Sequence, residues 1–156
     1  MPIHTDLKIF EKYAVKYEQE KMPTGQIVFY GPSYFTRWGE GWGHRPLRED
    51  LLGAGGTPCC INRGIGGSCP EHQLYYYDRI VRPLAPKVLV YGSWGNIGYL
   101  GYTNEEAIAL AERVVAYARA VYRLNAEGVC GCKTVLDIPP SYLSLQSRES
   151  LIAELL

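Results

Sequence analysis

Apolar and polar positions follow two different periods along the chain. Leu7, Phe10, Ala14 and Tyr17 recur at helical spacing, with Lys8, Glu11, Lys12, Lys16 and Glu18 between them. That pattern predicts an amphipathic surface helix, ended by Pro23 and Gly25. Residues 27–30, Ile-Val-Phe-Tyr, break the period with a continuous apolar run that meets Gly31, Pro32 and Ser33. A run without alternation suits a strand buried on both faces of a parallel sheet. Residues 87–91 repeat it and again end in Tyr-Gly, 57–62 give a shorter strand, and 134–138 give a fourth, closed by Pro139 and Pro140. Ser68 and Glu71 have the S-x-x-E spacing of a capping box with Pro70 in the first turn, so a helix is expected from Ser68 to about Arg82, burying Leu74, Tyr77 and Val81. Thr103 and Glu106 repeat the box before a long helix that buries Ala107, Leu110, Ala111, Val114, Val115, Ala118 and Val121 and stops at Gly128. A last helix is expected from about Ser147, with Leu151, Ile152, Leu155 and Leu156 apolar.

Alternating strands and helices predict an α/β fold, a three-layer α/β/α sandwich with a parallel sheet. Right-handed crossovers then bring the loops after Tyr30, Asn62, Tyr91 and Ile138 to one sheet edge, where open α/β folds bind their ligands. Ser33, Gly67 and Asn96 fall on three of those loops. A serine after Gly-Pro is ordinarily a turn residue or a helix cap, and the convergence of the other two loops is what singles out Ser33. Gly66 and Gly67 stand just before a predicted helix N-terminus, where free N–H groups favour negative charge. Trp38 and Trp42, in a glycine-rich loop, either cover the core or wall a pocket.

The 156 residues fit one core, read as a single domain over 1–156. With 16 acidic against 16 basic residues, scattered among one another, no basic face points to nucleic acid. There is no signal-peptide apolar region and no run approaching 18 apolar residues, so neither export nor membrane insertion is expected and a cytoplasmic location is. The five cysteines at 59, 60, 69, 130 and 132 lack zinc-ligand spacing and read as reduced thiols. Gly64, Gly66, Gly67 and Cys69 fail the G-x-G-x-x-G pattern, because Cys69 stands where the last glycine should be, which argues against a flavodoxin-like flavin or nucleotide binder. No metal and no cofactor are expected.

Three blocks in order, FYGPS at 29–33, NRGIGGS at 62–68 and VLVYGSWGNI at 88–97, resemble the SGNH or GDSL-like ester hydrolases, in particular the branch that includes platelet-activating-factor acetylhydrolase. With residues 134–141 the resemblance covers most of 26–141. It implies a flavodoxin-like SGNH fold in which Ser33 is the nucleophile, and the Ser33 N–H, Gly67 and Asn96 form the oxyanion hole. It also implies a small acyl ester as substrate, such as an acetyl group on a carbohydrate. Three positions depart from the family pattern. Pro32 replaces the usual Asp or Ser. Block three carries extra spacing relative to Gly-x-Asn-Asp, so Gly95 competes with Asn96 for the donor position. The late Asp-x-x-His block is missing, since nothing after Ser141 resembles it and the histidines are His4, His44 and His72.

The resemblance therefore implies a hydrolase that is inactive as it stands, a domain C-terminally truncated before its last βα unit, and self-association through the uncovered sheet edge. His72 and His44 are the substitutes to consider for the base. Asp137 is expected to be a buried structural partner, and Tyr75, Tyr76 and Tyr77 to be packing and surface residues. A reading from another class is a non-catalytic carbohydrate-binding module that stacks sugar on Trp38, Trp42 and Trp94.

Overall fold

The computed structural model describes residues 5–93, 96–124 and 135–137. Four parallel strands, β1 (Ile27–Gly31), β2 (Cys60–Gly64), β3 (Val88–Tyr91) and β4 (Val135–Asp137), form one sheet in the order β2-β1-β3-β4. The fold is the α/β/α type the alternation predicts. The register pairs Tyr30 with both Arg63 and Tyr91, so the three strand ends finish level at one edge. Chain order reverses at β1, with β2 on one side and β3 on the other. The loops after β1 and β3 therefore diverge across a crevice, the switch point at which such sheets place ligands.

Period-two alternation assigns the strand side chains to two faces. Val28, Tyr30, Ile61, Leu89 and Tyr91 enter one core with α1 (Glu11–Gln19), α4 (Pro70–Ile80) and α5 (Asn104–Leu124). Ile27, Phe29, Val88 and Val90 enter the other with α2 (Ser33–Thr36), α3 (Leu47–Asp50) and the loop around Trp38. The expected stripe of α5 is observed, with Leu110, Val114, Ala118 and Val121 buried. Its capping box forms as Thr103 implies: the Thr103 N–H donates to Glu106 at 3.0 Å, and the Glu106 N–H donates to Thr103 Oγ1 at 3.2 Å. Arg79 clamps α4 to α1 through ion pairs with Glu11 and Glu18.

Several elements differ from expectation for physical reasons. The first turn of the N-terminal segment, Leu7–Phe10, is a 3-10 helix that Asp6 caps, and the α-helix begins at Glu11. Strand β2 is shifted C-terminally from 57–62 to Cys60–Gly64, because Pro58 has no N–H to give a ladder. Arg63 is consequently a buried strand residue, 1% exposed, tolerated because its guanidinium pairs with Glu20 at 2.7 Å and lies over the Tyr17 ring. Helix α4 begins at Pro70 rather than Ser68, and its capping box is Cys69 with His72 instead of Ser68 with Glu71. Tyr77 and Val81 are buried as expected, together with Tyr76 and Ile80, while Leu74 is half-buried and Tyr75 is exposed. The end of α5 expected at Gly128 and the helix from Ser147 lie outside the described residues.

Candidate active site

Ser33 opens α2, one residue beyond the Gly31-Pro32 step that ends β1, and is half-buried. The short helix is seated where three strands terminate, and each strand ends in glycine for the same reason. A Cβ on Gly31 would lie 2.8 Å from the Gly92 carbonyl and 2.9 Å from the Phe35 ring. One on Gly64 would lie 2.6 Å from the Thr36 nitrogen, and one on Gly92 would overlap the Tyr34 hydroxyl. These are close approaches only glycine permits. Asn62 adds a lock, donating from Nδ2 to the Phe35 carbonyl at 2.6 Å and accepting at Oδ1 from the Gly64 N–H at 2.8 Å. The turn bearing Ser33 is thus fixed against block two by backbone contact and by two hydrogen bonds of one asparagine.

Gly67 lies in the turn that the Ser68 N–H closes on the Ile65 carbonyl at 3.0 Å, with φ at +87°. That left-handed conformation is why glycine is needed there. No backbone carbonyl among the described residues accepts from the Gly67 N–H, and its α-carbon faces the Phe10 ring.

Asn96 is also left-handed, at φ 61°, and its Nδ2 donates to the Ser68 carbonyl at 2.9 Å. Block three is therefore tied to block two immediately beside Gly67. Beneath that tie runs a buried chain: the Tyr91 hydroxyl donates to Gln73 Oε1 at 2.7 Å, and Gln73 Nε2 donates to Ser68 Oγ at 3.1 Å. The Tyr30 hydroxyl reaches the Gln73 backbone carbonyl at 2.6 Å. Gln73 and Ser68 are both fully buried, so this polar chain is satisfied internally rather than by water. Gln73 attracts no notice in the sequence, because its role depends on Tyr30 and Tyr91 from two strands.

Beyond Asn96 lies a cavity of about 720 Å³ between β3 and α5, with Tyr91, Ser93, Tyr102, Ile108 and Val115 among its lining residues. It shares Asn96 with the candidate donors, while Ser33 and Gly67 are not part of its wall. Gly95 and Trp94 lie outside the described residues.

His72 is buried in the α4 cap. The Cys69 N–H donates to its Nδ1 at 3.2 Å, the Cys69 sulfur lies at 3.2 Å from the same atom, and Thr5 Oγ1 is 3.3 Å from Nε2. The Phe10 ring packs edge-on against it. Burial pushes the imidazole below its ordinary pKa, partly offset by Asp6, and pushes the Cys69 thiol up. This arrangement gives His72 a structural task, with both ring nitrogens engaged. His44 is exposed in the loop before α3, and His4 lies outside the described residues. Asp137 pairs with Tyr91 in the strand register, and its side chain is outside what the structure describes.

Trp38 is withdrawn into the core, 6% exposed, with its indole N–H donating to Asp50 at 2.9 Å. Trp42 is exposed and carries the Arg37 guanidinium over its ring. The stacking surface expected of Trp38, Trp42 and Trp94 together is therefore not assembled by Trp38. Cys59, Cys60 and Cys69 are free thiols, the first two with sulfurs 3.6 Å apart. Cys130 and Cys132 lie outside the described residues. No described helix is long and apolar enough to cross a membrane.

No family model matches the chain. Over short segments it is similar to meso-diaminopimelate D-dehydrogenases. The Acetivibrio thermocellus enzyme is 63% identical over 46 residues, covering 30% of this chain and 14% of the enzyme. The Ureibacillus thermosphaericus enzyme is 58% identical over 43 residues, covering 28% and 13%. The matched segment thus spans about one-seventh of those relatives.

The whole fold points elsewhere. An acylhydrolase from Bacteroides fragilis superposes with a TM-score of 0.59 at 22% identity, covering 97% of this chain and 72% of that one. A platelet-activating-factor-like protein of Streptococcus pneumonia gives 0.58 at 22% identity, covering 76% and 52%. A GDSL-like lipase from Bacteroides thetaiotaomicron gives 0.54 at 18%, covering 74% and 55%. The chain spans about half the length of the last two. The chain thus shares its fold with proteins described as acylhydrolase, GDSL-like lipase and platelet-activating-factor-like.

Proposed function

We propose that the chain carries the nucleophile and oxyanion half of a serine ester hydrolase of the SGNH type. Ser33 is the nucleophile that attacks an acyl carbonyl, and the Ser33 N–H, the Gly67 N–H and Asn96 receive the negative charge that develops on its oxygen. The observation that carries the reading is the Asn96–Ser68 hydrogen bond. It draws block three onto the Gly67 turn, while the strand-end glycines seat Ser33 on the same sheet edge. Each oxyanion donor in such a site is worth about 10²–10³ in rate. Asn96 spends its amide on Ser68 in the resting structure, so donation to an oxyanion requires that bond to open or to be shared.

The described residues offer no histidine placed as the base. His72 is committed to the α4 cap, His44 is exposed on a loop, and the sequence after Ser141 holds no Asp-x-x-His. Loss of the histidine of a serine triad costs about 10⁶-fold in the subtilisin case. On its own the chain is then nearly inert toward esters. The substrate class is a small acyl ester, first an acetyl group on a carbohydrate, and self-association through the sheet edge and a cytoplasmic location complete the proposal.

The test is hydrolysis of p-nitrophenyl acetate by a version of the chain supplied with an Asp-x-x-His βα unit. Activity that disappears in Ser33→Ala supports the reading. Activity unchanged in Ser33→Ala contradicts it.

A further inference from the structure

We infer that the chain is a composite, in which a hydrolase sheet carrying blocks one to three is closed by a helix-strand segment of dehydrogenase type. The two kinds of similarity cannot occupy the same residues comfortably. The glycines of the three blocks are fixed by contacts special to this fold, the seat of α2 between Gly31, Gly64 and Gly92. A segment shared at 63% identity with a different enzyme belongs between such blocks, not across them.

Length then decides where it lies. The sequence free of blocks runs to 28 residues before Phe29, 28 between Ser33 and Asn62, and 19 between Ser68 and Val88. After Ile97 there are 59. Only that last stretch holds an uninterrupted match of 46 residues. Any such window within 98–156 contains residues 111–143, which take in the second half of α5 and all of β4.

The fold can accept such a replacement. A helix followed by a strand parallel to its neighbour docks on an α/β sheet if the crossover is right-handed and the helix has an apolar stripe facing inward. Val114, Ala118 and Val121 supply the stripe, packed in the core with Tyr77 and Val81. Strand β4 pairs with β3 over Leu89, Val90 and Tyr91 through the backbone ladder. The acylhydrolase superposition covers 97% of this chain at 22% identity, so it compares backbone layers rather than the origin of the residues that fill them. Such a segment restores the sheet without restoring the hydrolase's base. Residues 98–156 contain no Asp-x-x-His, as expected of a segment of that kind. The place of the segment, and what it displaces, rest on the three blocks of the proposed hydrolase reading; its likeness to the dehydrogenase does not.

The test exchanges segments in intact enzymes. In the Acetivibrio thermocellus dehydrogenase, the 46 matched residues are replaced by those of this chain, with the Ureibacillus thermosphaericus segment as a control exchange. The composite origin predicts dehydrogenase kcat/KM within about tenfold of the control exchange. It is overturned if the aligned residues include any of the three blocks, or if this chain's segment abolishes activity that the control segment retains. In a second arm, residues after Ile97 of this chain are replaced by the corresponding part of the Bacteroides fragilis acylhydrolase. Ser33-dependent hydrolysis of p-nitrophenyl acetate is expected. A folded but inert product, with the first arm successful, refutes the role of Ser33 and leaves the composite origin standing.

Discussion

The two sides of the crevice are built differently. On the β1–β2 side, Ser33 sits on a turn held by backbone packing, with the Gly64 α-carbon against the Thr36 nitrogen and Asn62 bonded to both Phe35 and Gly64. On the β3 side, Asn96 is held to block two by one side-chain hydrogen bond, at a left-handed φ, beside a 720 Å³ cavity. Steric exclusion admits no alternative position, whereas a single hydrogen bond contributes only about 0.5–1.5 kcal/mol net. The turn bearing Ser33 is therefore the rigid side of the crevice and Asn96 the adjustable side. An amide that opens from Ser68 when charge develops would use that adjustability.

The largest effect expected is from Gly64→Ala, which forces a methyl against the α2 backbone. Overpacking of this kind costs about 1–3 kcal/mol, at the top of that range here because the neighbour is main chain and cannot rotate away. Urea unfolding measures it, and a loss under about 0.5 kcal/mol would dissolve the distinction between the two sides. Asn62→Ala comes next. It leaves the Phe35 carbonyl and the Gly64 N–H without their partner, at about 1–3 kcal/mol, checked by the same unfolding curve.

A smaller effect, about 1 kcal/mol, is expected from Asn96→Ala, and Asn96→Gly should cost less because glycine accepts the left-handed backbone that alanine resists. If Asn96→Ala proved as damaging as Gly64→Ala, the β3 side would be as rigid as the other.

The smallest and most local effect is a pH dependence. Burial depresses the His72 pKa, so the unfolded chain takes up a proton that the folded chain refuses. Stability is full above the ordinary histidine value of about 6.5 and falls as the pH drops through it toward the lower folded value. Thermal unfolding between pH 7.5 and 5 should show this loss, and His72→Gln should flatten it. An unchanged slope in that variant would place the titration elsewhere.

Strands β1 and β3 were readable because apolar runs and Tyr-Gly steps mark their ends, whereas β2 runs on to Arg63 and Gly64, past its expected end at Asn62. The placing of Ser33 after β1 and of Gly67 in a left-handed turn was legible too, since both are local backbone demands that leave a trace in residue type. What stayed hidden depends on partners distant in the chain. Arg63 looks like a surface residue until Glu20 and Tyr17, 43 and 46 positions earlier, are folded against it. Gln73 and Ser68 become the floor of the site only through Tyr91. The α4 cap was misplaced by one residue because Ser-x-x-Glu is the stronger motif. Pro70 held the correction: its preference for the first helical position makes Cys69 the cap.

On the proposed reading, Ser33 is the nucleophile and an Asp-x-x-His unit supplies its base. The direct measurement is the rate of p-nitrophenyl acetate hydrolysis by the chain carrying an acylhydrolase Asp-x-x-His unit after Ile97, beside its Ser33→Ala variant. The account predicts turnover well above the unmodified chain and its collapse by about 10³-fold or more in Ser33→Ala. Equal rates from both proteins, each shown to be folded, would contradict it.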